Sequence, residues 1–198
     1  MHLGFVEIFI IVIVLLYLGF NVKEHFSEVE YVVSTVDKRK YLVRNLPDSL
    51  EAANLLAKLN IRMTKLINHL SEKYPDDKDI KQLKKNYRPD SISEGKDDAN
   101  YTSYSINKGE QIVFCIRSRD ANNKLEDINT LMFVATHELA HLMTSSVGHT
   151  PQFWENFRRI LEEAVTLGLY TKVDYSKEPQ SYCGIKITST VLKDEKST

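Results

Sequence analysis

Apolar side chains follow three rhythms along this chain, and each predicts a different kind of element. The first is continuous. From Ile8 to Phe20 no polar side chain interrupts the run apart from the phenol of Tyr17, and across Leu3–Val22 Glu7 is the only charge. Twenty helical residues rise about 30 Å, the thickness of a bilayer's hydrocarbon core. No lysine or arginine precedes the run and no small-residue cleavage site follows it, so it reads as a retained transmembrane helix rather than a secretory signal. An all-round apolar helix also lacks the polar stripe of a helix lying on a soluble core. Residues 1–22 are thus expected to be an anchor and 23–198 a separate domain. Lys23, Lys38, Arg39 and Lys40 follow the run. This asymmetry predicts a single-pass membrane protein with its domain on the cytoplasmic side. The sequon Asn100-Tyr101-Thr102 could be used only on the opposite side.

The second rhythm is strand-like. Residues 31–36 and 40–43 are rich in β-branched and aromatic types, and 101–106 and 111–117 repeat the pattern around Asn107-Lys108-Gly109-Glu110, a hairpin turn. The third rhythm is helical. Asp48 and Glu51 form a capping-box-like start, after which Ala52, Leu56, Leu59, Met63, Leu66 and Leu70 recur at steps of three and four until Tyr74-Pro75. Residues 79–87 predict a short helix. Residues 124–145 carry Ile128, Met132, Ala135, Leu139 and Leu142 at helical spacing, and Thr150-Pro151 opens a last helix that Gly168 ends. The fold class is α+β, with a small sheet that includes a hairpin.

Composition narrows the function. The chain has 198 residues and 26 lysines and arginines against 27 acidic residues, so it is no basic nucleic-acid module. Lys81, Lys84, Lys85 and Arg88 share one helix face and read as solvated; no nucleic-acid partner is expected. Two cysteines, Cys115 and Cys183, exclude a four-cysteine zinc ribbon but allow one disulfide. So few cysteines also agree with a cytoplasmic domain. Cys183 reads as an ordinary buried thiol rather than a blocking ligand.

The chemistry concentrates at His137-Glu138-Leu139-Ala140-His141. At 100° per residue, positions 137 and 141 lie about 40° apart, so two imidazoles can converge on one cation with Glu138 beside them. Composition would produce this pentapeptide in about one chain in a hundred. A catalytic zinc takes three protein ligands and keeps a position for water. His149 is the expected third, following a turn-forming stretch from Thr144 to Gly148. Glu162 and Glu163 on the next helix compete for the role. Tyr170, Tyr175 and Tyr182 read as structural.

This pentapeptide, followed by Gly148-His149-Thr150-Pro151-Gln152-Phe153-Trp154, resembles the WLM and SprT-like zinc metallopeptidases, which are minimal zincins. The match covers Thr130 to about Gly168, and the Tyr182-Cys183-Gly184 tail resembles a branch found in large DNA viruses. The resemblance implies Zn2+ as cofactor, held by His137, His141 and His149, with Glu138 as catalytic acid/base and Phe153 and Trp154 packed beneath the ligand turn. It implies a zinc endopeptidase acting on a protein or peptide substrate, here membrane-anchored. The order of elements along the chain separately suggests strand 111–117 as the one that pairs with an extended substrate. Two alternatives stand beside it: an anchored, non-catalytic binding protein that uses metal to hold its fold, and a DNA–protein-crosslink repair protease. Nothing in the sequence indicates an oligomeric state.

Overall fold

The structure, a computed structural model, describes residues 4–25, 28–96, 102–120, 122–189 and 191–192. It has the expected α+β architecture. Strands β1 (Val29–Val33) and β2 (Lys40–Arg44) form an antiparallel hairpin, from which the chain runs through helices α2 (Ser49–Lys73) and α3 (Lys78–Asn86) to β3 (Ile92–Glu94). A second hairpin, β4 (Tyr104–Ile106) and β5 (Gln111–Phe114), completes a mixed five-stranded sheet of order β1-β2-β3-β5-β4, with β2, β3 and β5 parallel. Helices α4 (Ile128–Met143) and α5 (Pro151–Thr166) follow, and a separate hairpin, β6 (Gln180–Tyr182) and β7 (Ile185–Ile187), closes the described chain.

The helical stripe of α2 is the spine of the core. Ala52, Leu56, Leu59, Met63, Leu66 and Leu70 are all buried, and α2 packs against β2, β3 and α4. Asp48 departs from its expected capping role: it sits at the N-cap, but its carboxylate makes no cap bond and accepts instead from the Arg117 guanidinium at 2.6 Å. Arg117 is 3% exposed and also donates from Nε to Glu94 Oε1 at 2.7 Å, while Glu94 Oε2 accepts from the Arg44 amide. Burial holds the Glu94 carboxyl above its usual range, whereas the hydrogen bond from Arg117 holds Asp48 below its own. Removing one partner of a buried ion pair strands the other. Arg117→Met should therefore lower the unfolding free energy by about 3–5 kcal/mol, read from urea unfolding; a loss under 1 kcal/mol would show that the pair is not needed.

The expected membrane helix fares differently. Helix α1 (Phe5–His25) covers most of the apolar run, and its described side chains are exposed. They end at Tyr17, a rise of about 20 Å from Phe5, and among the described residues no helix is long and apolar enough to cross a membrane. The transmembrane anchor, and with it single-pass membrane attachment, is not supported. Leu3 of the expected span and Asn100-Tyr101 of the sequon lie outside the described residues.

Two further expectations change. Strand β5 is paired on one side by β3 and on the other by β4, so it has no edge to offer a substrate; β4 is the outer strand. Cys183 is not a thiol but forms a disulfide with Cys115, Cα–Cα 6.1 Å across a sequence separation of 68. Closing so long a loop restricts the unfolded chain by about 4 kcal/mol. Such bonds persist where thiols are not kept reduced, so two cysteines no longer argue for the cytoplasmic side.

Candidate metal centre

Helix α4 begins at Ile128 because Asp127 caps it, its carboxylate accepting from the amides of Asn129 and Thr130. The four preceding residues, expected to be helical, belong to a loop closed by the Ser118 amide on the Lys124 carbonyl and the Lys124 amide on Ser118 Oγ. Ala135, Leu139 and Leu142 are buried on one face, which turns His137 and His141 toward the outside. The helix ends after Met143, and its last carbonyls are capped by side chains. Gln82 donates to Leu142 and Met143, Asn86 to Leu142, and Lys108 Nζ to His141, Thr144 and Ser146 at 3.3, 2.7 and 2.8 Å. A cation is well placed against the negative end of a helix dipole. Here it also fixes the loop that returns toward α5. Gly148, at φ +85°, makes the turn that a side chain would strain, and Thr150 Oγ1 caps α5 by accepting from the Phe153 amide.

This loop brings His149 back over α4. His137 Nε2 lies 3.2 Å from His141 Nε2 and 3.1 Å from His149 Nε2, and one ligand atom from each ring lies within 4.8 Å of the others. Nitrogens held tetrahedrally at about 2.0–2.1 Å from zinc sit roughly 3.3 Å apart, so the spacing suits a metal ion. Burial, and then the neighbouring rings, push His137 down to about 3, and burial, His149 and Lys108 push His141 down to about 4. Both rings are neutral at physiological pH, the form that ligates. Phe153 is fully buried beneath all three, with ring centroids 4.9, 4.4 and 4.7 Å from His137, His141 and His149.

Glu138 stands beside the triad but outside it. It is buried, its Oε2 has no hydrogen-bond partner among the described residues, and burial pushes its carboxyl up to about 7 against the opposing effect of a hydrogen bond with Ser105 on β4. An orphaned carboxylate oxygen next to three converging imidazoles suits a water or a reacting group. The competing carboxylates are elsewhere. Glu163 is buried in a network with His69 Nε2 at 3.0 Å, Lys73 Nζ at 2.6 Å and Tyr74 OH at 2.8 Å; Glu162 is exposed, and neither joins the metal-binding group.

Sequence reasoning missed Ser105 and Lys108, both hidden in what read as an ordinary hairpin, and the whole of β6–β7. Tyr182 is buried with its hydroxyl 2.6 Å from Ser103 Oγ, and it lines a cavity shared with His137 and Glu138.

Comparison with known proteins places these features in a family. A model of the WLM domain matches residues 37–197. An uncharacterised protein of Acanthamoeba polyphaga mimivirus is 33% identical over 192 residues, covering 95% of this chain and 97% of that protein. One from invertebrate iridescent virus 6 is 44% identical over 71 residues, 34% of this chain and 38% of its own. Among solved structures, Wss1 from Saccharomyces cerevisiae aligns with 64% of this chain and 88% of its own at 15% identity and a TM-score of 0.48. The full-length viral relative and a family match running from the first hairpin past the last one agree, and the chain belongs to the WLM domain family.

Proposed function

We propose that the chain is a zinc-dependent endopeptidase. The observation that carries this reading is the convergence of His137, His141 and His149 with the buried carboxylate of Glu138 alongside, its Oε2 without a hydrogen-bond partner among the described residues. The three imidazoles would hold the ion, which when bound supplies a Lewis acid that acidifies water and polarises a peptide carbonyl. Glu138 takes a proton from the attacking water and returns it to the leaving amine, the role of a positioned carboxylate beside the ion. Phe153 fixes the ring planes from below, and Lys108 holds the loop that carries His149. An extended substrate adds to the outer strand β4, whose Ser105 touches Glu138, by backbone pairing of the kind exposed sheet edges offer. This replaces β5 as the pairing strand.

A purely structural metal is the weaker reading. Structural zinc is usually closed by four protein ligands, whereas the group here offers three among the described residues.

The test uses the full chain. One zinc per chain is expected by elemental analysis, together with cleavage of a denatured polypeptide that phenanthroline abolishes and added zinc restores. A zinc-loaded, folded protein that leaves every such polypeptide intact would refute the proposal.

A further inference from the structure

Beside the triad the surface opens into a cavity of about 260 Å3. His137 and Glu138 of α4 line it on the reactive side; Phe133 of α4, Trp154 and Phe157 of α5, and Ile185 of β7 form its apolar part, beside a smaller polar part that includes Lys186. Phe133 and Phe157 are buried, their ring centroids 5.3 Å apart, but Trp154 is 40% and Ile185 50% exposed. Two large apolar groups are thus left facing an opening next to the reactive carboxylate. A cavity of about 150 Å3 lined by aliphatic and aromatic carbons is enough to hold benzene, so this one has room for a leucine, methionine or phenylalanine side chain.

The wall bearing Ile185 is fastened beside the cavity. Hairpin β6–β7 turns through Cys183-Gly184, both at positive φ, 48° and 78°. Cys183 is bonded to Cys115, which follows β5 directly. Ser103 Oγ meets the Tyr182 hydroxyl and also accepts from the Cys115 amide at 3.1 Å. The disulfide and this hydrogen-bonded pair therefore clamp the hairpin to the sheet at one point, immediately before the strand that lines the cavity.

We propose that this cavity is the specificity pocket of the site. It takes the large apolar side chain of a residue flanking the scissile bond, and the Cys115–Cys183 disulfide keeps its outer wall in place. The inference rests on the peptidase reading and adds the substrate class to it: extended polypeptide that exposes large apolar side chains, as unfolded segments do. Burial of such a side chain is large enough for a preference of about 10- to 100-fold over glycine or aspartate at that position.

Trp154 is the only tryptophan and lines the cavity, so its emission reports occupancy without any turnover. The zinc-loaded full chain is titrated with N-acetyl-phenylalaninamide and, in parallel, with N-acetyl-aspartamide. Peptides varied to Phe, Leu, Gly or Asp on each side of the cleaved bond are then ranked by kcat/KM. Trp154 emission is expected to shift with the phenylalanine compound alone, and Phe and Leu peptides to be cleaved about 10- to 100-fold faster than Gly or Asp peptides. Ile185→Asp should flatten that ranking. The Cys115→Ser, Cys183→Ser double variant should flatten it too while still cleaving the glycine peptide. Because Ile185 is half exposed, its replacement keeps the test alive if the double variant fails to fold. Equal cleavage of all peptides, unchanged emission, or an unaltered ranking in Ile185→Asp would overturn the pocket. If no peptide is cleaved while Trp154 still answers to the phenylalanine compound, the pocket stands as a binding site and the peptidase reading falls.

Discussion

Glu138→Gln keeps its zinc and loses its cleavage. Glutamine matches glutamate in shape and leaves the three imidazoles untouched, so metal content should stay at one ion per chain. What disappears is the group that accepts and returns a proton, and positioned acid–base groups of this kind contribute about 10²–10⁴-fold to rate. A fall of that size in kcat, measured on the same denatured polypeptide, is expected. The side chain is buried against Ser105 of β4, and an amide in its place can still hydrogen-bond there, so the folded structure should survive. A variant that cleaves within a few-fold of the parent would remove Glu138 from the reaction. One that loses zinc as well would make it a ligand.

The second large effect separates His149 from the carboxylates of α5. His149→Ala should weaken zinc binding by more than about 100-fold, beyond the 10–100-fold that loss of a merely supporting partner costs, because one of three converging nitrogens is gone. Competition with a chromogenic chelator measures it. Glu162→Ala, on an exposed position, should leave zinc affinity and stability unchanged. Glu163→Ala should also keep the zinc, yet unfold more readily by about 1–3 kcal/mol, since His69, Lys73 and Tyr74 all lose their acceptor. Metal loss in either carboxylate variant, with His149→Ala unaffected, would hand the third position to α5.

These outcomes reflect what the sequence could and could not disclose. The long helices were legible because burial imposes a period: the leucines of α2 and the paired Thr150-Pro151 start of α5 each have a local physical cause. The three histidines were legible because two share a helix face and the third follows a turn. Helix α4 starts four residues later than its apolar spacing predicts, since the bonds between Ser118 and Lys124 close the preceding loop and no side-chain period records them. Strand β3, only Ile92–Glu94, is too short to show alternation, and its buried Glu94 makes sense only once Arg117 arrives from beyond β5. Strands β6 and β7 are mostly exposed; the one turn signal between them is Gly184, since glycine suits the second position of a two-residue turn. Lys108 looked like a turn residue, and its hold on three carbonyls of α4 and the following loop exists only after the hairpin has folded across the helix end.

The bond between Cys115 and Cys183 encloses the three histidines and Glu138, together with all of α4 and α5. A chain nicked once anywhere inside that span, whether by a contaminating protease or by a second molecule of its own kind, does not come apart. The two pieces migrate together on a gel until a reducing agent is added, and only then separate into unequal fragments. Self-digestion in a stored sample would therefore be invisible under non-reducing conditions, and intactness has to be judged after reduction.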